Sequence, residues 1–160
     1  MTTLTRRYHF SASHRLHSRE LTAAQNTELY GKCNNPFGHG HDYVLEVTAS
    51  GEVDALTGLI LPVAKLDRLV EQNVLRLFAS RYINLDVPQF AQLVPTSENI
   101  ALVIADLLEE QWNAYLGDTS AQLLRIHIQE TDRNGFEVFV RARKNKSTAR
   151  QQLESVTIHA

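Results

Sequence analysis

The chain has 160 residues, 43% hydrophobic and 21% charged, which is enough for one domain around a single core. A formal charge of -2 leaves no basic surplus to neutralise nucleic-acid phosphates or anionic lipid. The single cysteine, Cys33, excludes an internal disulfide, and no stretch reads as a secretory signal or a bilayer span, so a cytoplasmic protein without nucleic-acid or membrane partners is expected.

Residues 5–16 alternate, with Tyr8, Phe10, Ala12, His14 and Leu16 on one face and His9, Ser11 and Ser13 on the other, the period of a strand. Residues 20–36 contain Gly31 and Asn34-Asn35-Pro36 and read as a long loop leading to a second strand over about residues 38–50. Residues 54–58 read as a turn before a short third strand, Leu59-Ile60-Leu61, placed to pair back on the second. The period then changes: Leu66, Leu69, Val70, Val74, Leu77 and Phe78 fall three and four apart, as in an amphipathic helix.

A second helix starts after Pro95, with Thr96 or Ser97 as cap, Glu98 in the first turn and an apolar stripe of Ile100, Val103, Ile104, Leu107, Leu108 and Trp112. Two β-rich runs, residues 123–128 and 136–140, flank Thr131-Asp132-Arg133-Asn134-Gly135 and read as a hairpin. Strands, two helices, then strands predict an α+β fold, an antiparallel sheet with helices on one face. Residues 1–143 form one domain in this reading, and residues 144–160 a polar C-terminal tail, frayed or paired with a neighbouring subunit.

His39-Gly40-His41 places two imidazoles on the same face of a strand, within reach of one ion, and His14 lies on the inward face of the first strand. Three neutral nitrogens with an open fourth position are the ligand set of a catalytic zinc; iron or nickel would also accept them. A bare His-x-His is a weak signal, but a third histidine on an apolar strand face strengthens it, because an unpaired buried imidazole is costly.

Phe10-Ser-Ala-Ser-His-Arg-Leu16, Leu29-Tyr-Gly-Lys-Cys-Asn-Asn-Pro36 and Gly38-His-Gly-His-Asp-Tyr43 closely resemble the 6-pyruvoyl tetrahydropterin synthase family. The likeness continues through Asp54-Ala-Leu-Thr-Gly58, Asp86-Val-Pro-Gln-Phe90, Thr96-Ser-Glu-Asn99 and Gln129-Glu-Thr-Asp132, covering about residues 6 to 141 in order. Its relatives include the queuosine-pathway 6-carboxytetrahydropterin synthases. The resemblance implies a tunnelling fold (T-fold) whose protomers join sheets into a barrel, usually as a homohexamer with sites between subunits. It also implies zinc held by His14, His39 and His41, Glu130 holding the pterin's amino and ring N–H groups, and Thr96, Ser97 and Glu98 lining the same pocket. An acceptor-only carboxylate suits two adjacent donors. Cys33 falls at the position of the family's catalytic cysteine, whose thiolate moves protons on the ligand's side chain; a nearby cation would lower its pKa.

One segment departs from the pattern. Family members read Leu-Asp-His-Lys-Asn-Leu where this chain reads Phe78-Ala79-Ser80-Arg81-Tyr82-Ile83, and counting back from Asp86-Val87-Pro88 puts Ala79 and Ser80 at the Asp and His positions. Neither relays a proton as that pair does. Three explanations stand: a changed reaction; replacement from elsewhere, with His17, Asp42 and Tyr82 nearest in sequence; or a site kept without turnover. Asp42, where relatives commonly carry Asn, adds an acid beside the metal ligands. The function expected is a zinc-dependent lyase acting on the side chain of a 7,8-dihydropterin such as 7,8-dihydroneopterin triphosphate. The alternatives are a non-catalytic pterin or purine-like binder and, third, a zinc hydrolase with Asp42 as base.

Overall fold

The computed structural model describes residues 1–140, so the expected tail and the end of the expected domain lie outside the described residues. Four strands, β1 (Thr2–His14), β2 (His39–Gly51), β3 (Gln122–Thr131) and β4 (Asn134–Phe139), form one antiparallel sheet in the order β1-β2-β3-β4. The register runs from Thr2 opposite Gly51 to His14 opposite His39. Alternation decides the faces: Phe10 and Ala12 of β1, Tyr43, Leu45, Val47 and Ala49 of β2, and Ile126 and Ile128 of β3 are all buried.

The buried face packs on two helical segments. The first is α2 (Val63–Val70), which passes through a π turn (Glu71–Leu75) into α3 (Arg76–Phe78), with Leu66, Leu69, Val70, Val74 and Phe78 buried. At the π turn the side chain of Asn73 donates to the carbonyl of Leu69 at 2.9 Å. After the short α4 (Ile83–Asp86) comes α5 (Ser97–Leu116), capped by Thr96, whose hydroxyl accepts from Asn99 N–H, and carrying Glu98 in its first turn. Its buried residues include Ile100, Val103, Ile104, Leu108 and Trp112 from the expected stripe, while Leu107 is partly buried. The opposite face carries charge instead: Arg7, Glu46, Arg125 and Glu137 form a row of ion pairs across all four strands, with N–O distances of 2.6 to 3.3 Å.

Three expectations need correction. The first strand ends at His14, not Leu16, because the chain leaves the β1–β2 ladder there. Residues 20–36 are not only loop: α1 (Ala23–Tyr30) and a 3-10 turn (Gly31–Asn34) lie within them. No apolar stripe announces α1, whose only buried residue is Asn26; a capping box of Thr22 and Gln25 fixes its start. Leu59-Ile60-Leu61 forms no strand, since β2 already has β1 and β3 as neighbours and no edge is left for a third partner. The turn before it does form, with Asp54 accepting from the N–H groups of Leu56 and Thr57.

Gly38 leads the chain into β2 at φ 71°, and a Cβ there would lie 2.9 Å from the His14 carbonyl oxygen and 3.0 Å from the Tyr82 ring. Both the backbone conformation and the space require glycine. Gly38→Ala is therefore expected to destabilise the fold by about 2 kcal/mol or more, read as a lowered urea midpoint; an unchanged midpoint would contradict this account of the β1–β2 entry.

Candidate metal and ligand site

The strand register delivers the three histidines. His14 and His39 are opposite partners at the end of the β1–β2 ladder, and His41 faces the same side as His39, two residues on. Their ring centroids lie 4.6, 5.1 and 4.8 Å apart, and one nitrogen from each falls within 4.8 Å of the others. His14 Nδ1 lies 2.7 Å from the carbonyl oxygen of Pro95, just before α5. A carbonyl can only accept, so Nδ1 carries the proton and Nε2 turns a lone pair toward His39 Nε2, 3.1 Å away. His41 Nε2 is buried with no hydrogen-bond partner. An unpaired buried polar atom and nitrogens directed at one another make poor packing but a good ligand set, so these residues fit a divalent ion of zinc type.

Glu130, at the end of β3, brings its Oε1 to 3.5 Å from His14 Nε2 and 3.7 Å from His41 Nε2, and accepts a 2.8 Å hydrogen bond from the Ser97 hydroxyl at the start of α5. His14, His39, His41, Ser97 and Glu130 thus come together from four elements. The other expected residues are placed differently. Thr96 caps α5 with its hydroxyl, and Glu98 is exposed in the first turn. Asp42 points to the opposite face of the sheet, where it accepts a hydrogen bond from Ser11. Cys33 is half-buried on its 3-10 turn, near enough to Glu130 to feel its charge.

Burial holds the His14 pKa down at about 4, against 6.5 for an ordinary imidazole, and burial followed by the neighbouring His41 lowers His39. Neutral imidazoles are the form that binds metal. Burial, and then the Glu130 carboxylate, push the Cys33 thiol up. The lowered thiol expected beside a cation is therefore not a property of the protein's own groups; without the ion the shift has the opposite sign. Burial also raises Tyr43, which reading of the histidine motif missed although it follows His41 on the same strand face; its hydroxyl is 3.4 Å from His14 Nδ1. The Pro95 carbonyl carried no signal in the sequence at all.

The His14 shift fixes a sign. Between pH 6.5 and about 4 the unfolded chain binds the proton and the folded chain does not, so stability falls as pH is lowered through that window. In EDTA-treated protein, the fall in urea midpoint over this range is expected to be shallower in His14→Asn than in wild type. Parallel profiles would show that His14 is not held neutral.

The profile of the 6-pyruvoyl tetrahydropterin synthase family matches residues 3–140. The 6-pyruvoyl tetrahydrobiopterin synthases of Poecilia reticulata and Homo sapiens are 41% and 40% identical to this chain over 131 residues, which is 82% of this chain and 85% and 86% of theirs. The solved structure of the Caenorhabditis elegans 6-pyruvoyl tetrahydropterin synthase superposes with a TM-score of 0.77 at 38% identity, covering 86% of this chain and 94% of that one. Matching in sequence from β1 to the end of the described sheet and in the arrangement of its elements, this chain belongs to the 6-pyruvoyl tetrahydropterin synthase family.

Proposed function

We propose that this chain is a zinc-dependent lyase acting on the side chain of a 7,8-dihydropterin, with 7,8-dihydroneopterin triphosphate as substrate. The observation that carries this reading is the convergence of three imidazoles on one point, with the Glu130 carboxylate and the Ser97 hydroxyl beside them. The relatives' names give a 6-pyruvoyl tetrahydropterin as the product they form, which supports a dihydropterin as the substrate class here.

His14, His39 and His41 would hold the ion, which supplies Lewis acidity toward a side-chain oxygen of the ligand. The hydrogen bond from His14 to Pro95 keeps that ring in the ligating tautomer. Glu130 accepts hydrogen bonds from the amino and ring N–H donors of the pterin, and Ser97, bonded to Glu130 Oε1, holds the carboxylate in place. Cys33 takes a proton from the side-chain carbon as thiolate and returns it to the ring, so the side chain is oxidised as the ring is reduced and no outside oxidant is required. Loss of triphosphate breaks the terminal carbon–oxygen bond. A barrel of several copies, with sites between them, and a cytoplasmic setting belong to the same proposal. Among the described residues no helix is long and apolar enough to cross a membrane.

A second reading, a pterin-binding protein without turnover, draws on residues 79–80. Ala79 has no titratable group, and Ser80 is held at φ 59° with its N–H on the Ser11 carbonyl at 2.7 Å. The two readings part on whether bound pterin is altered.

Zinc-loaded protein incubated with 7,8-dihydroneopterin triphosphate should release triphosphate and a 6-substituted tetrahydropterin, both followed by mass spectrometry. Cys33→Ala is expected to lower kcat at least about 10²-fold with metal content unchanged. Tight binding of unaltered pterin by wild type would instead favour the binding protein. Glu130→Gln should weaken pterin binding by about 1.5–3 kcal/mol, seen in calorimetric titration of the ligand; an unchanged affinity removes Glu130 from ring recognition.

A further inference from the structure

Cys33 lies on a four-residue 3-10 turn that has no side-chain cap and fully buries none of its residues, Cys33 itself being half-buried. So short a turn holds its shape poorly by itself. Its place is set from outside, by the three residues that follow His14. Leu16 N–H donates to the Cys33 carbonyl at 2.9 Å. The Arg15 guanidinium donates twice to the next residue, from Nε to the Asn34 carbonyl at 3.1 Å and from Nη2 to Asn34 Oδ1 at 3.2 Å. His17 Nδ1 lies 3.0 Å from the same Oδ1. Asn34 Oδ1 is thus the shared acceptor of two side chains that flank Leu16.

Arg15 is itself fixed. The Asn84 carboxamide, on α4, accepts from Arg15 N–H at 2.8 Å and donates to the Arg15 carbonyl at 2.9 Å. A carboxamide that serves both backbone groups of one residue takes the place of a neighbouring strand's peptide. Ser80 N–H on Ser11 O at 2.7 Å and Ser13 N–H on Arg81 O at 2.9 Å make the same edge pairing just before it. Residues 80–84 therefore extend the edge of β1 past the point where β2 leaves it, and Arg15 is the last residue so held.

We propose that Asn34, gripped by Arg15 and His17 and anchored through Arg15 by Asn84, is the positioning residue that sets the Cys33 thiol beside the three-histidine site. The proposal rests on the lyase reading for what the thiol does there. The path from metal ligand to thiol is short: His14, then Arg15 and Leu16, then across hydrogen bonds to Cys33 and Asn34. Asn84 ties that path to the segment where this chain has Ala79 and Ser80. Without Asn34 Oδ1 the turn keeps its internal bond from Asn35 N–H to Lys32 O at 3.3 Å and the bonds to the backbone carbonyls of residues 33 and 34, but it loses both bonds to Oδ1, from Arg15 Nη2 and His17, that fix its orientation. A displacement of about 1 Å in a reacting group lowers turnover by on the order of 10²-fold.

The test compares Asn34→Leu, which keeps the volume and removes the acceptor, with Asn34→Asp, which keeps Oδ1 for Arg15 and His17. Asn34→Leu is expected to lower kcat on the dihydropterin by on the order of 10²-fold, with KM within a few-fold of wild type and zinc retained, and Asn34→Asp to recover most of the loss. Alkylation of Cys33 by iodoacetamide reads thiol placement without turnover. The Leu variant should react several-fold faster than wild type and the Asp variant, because a released thiol leaves the shelter of burial and the Glu130 charge. Wild-type kcat and alkylation in Asn34→Leu would overturn the proposal, as would an equal loss in both variants that tracks lost zinc or a lowered melting point. If wild type altered no pterin while alkylation still depended on Asn34, the lyase reading would fail and the clamp would stand.

Discussion

The pairing of β1 with β2 is the constraint on which the site depends. His14 stands opposite His39 only because the ladder keeps one register over thirteen residues, from Thr2 opposite Gly51 onward. A slip of one residue would turn Phe10, Ala12 and His14 out of the core face. The register is protected by what it buries: Phe10 stacks on Tyr43 at 5.1 Å between centroids, and Tyr43, Leu45 and Val47 are fully buried. The same alternation that builds the core thus carries the histidines to its rim, where the apolar layer ends and α5 begins.

That rim sets the chemistry. His14 is buried and held by a backbone carbonyl, so its proton sits on Nδ1 and its other nitrogen is left to a ligand. Burial lowers the pKa of His14 and of His39, which favours the neutral form that binds metal, and burial with the Glu130 carboxylate raises that of the Cys33 thiol.

The segment around Ala79 and Ser80, where the resemblance leads one to expect an Asp-His pair, keeps the frame of the sheet. Its backbone runs along β1 and bonds Ser11 and Ser13, and Ser80 takes a left-handed conformation at a cost of about 1–2 kcal/mol. The segment therefore has a structural part that backbone groups perform whatever the side chains are, and the loss of titratable groups there leaves the edge of the sheet intact. Asp42, the acid nearest the ligands in sequence, is turned to the other face, so it takes no place among the imidazoles.

The sequence by itself determined whatever depends on local pattern: the first two strands and a hairpin, two amphipathic helices, a cap at Thr96 or Ser97, and the His-x-His with a third histidine on an inward face. It did not reveal α1, since an exposed helix has no apolar period, and the short apolar run at residues 59–61 reads as a strand, since a local run is blind to whether a sheet has a free edge. The tertiary structure alone decided that the Pro95 carbonyl selects the His14 tautomer, that Glu130 leans toward the imidazoles, that Asp42 faces away, and that Arg15, His17 and Asn84 converge on the Cys33 turn. These are contacts between residues far apart in the chain, and several run through backbone carbonyls and amides, which every residue type presents and no sequence pattern can mark.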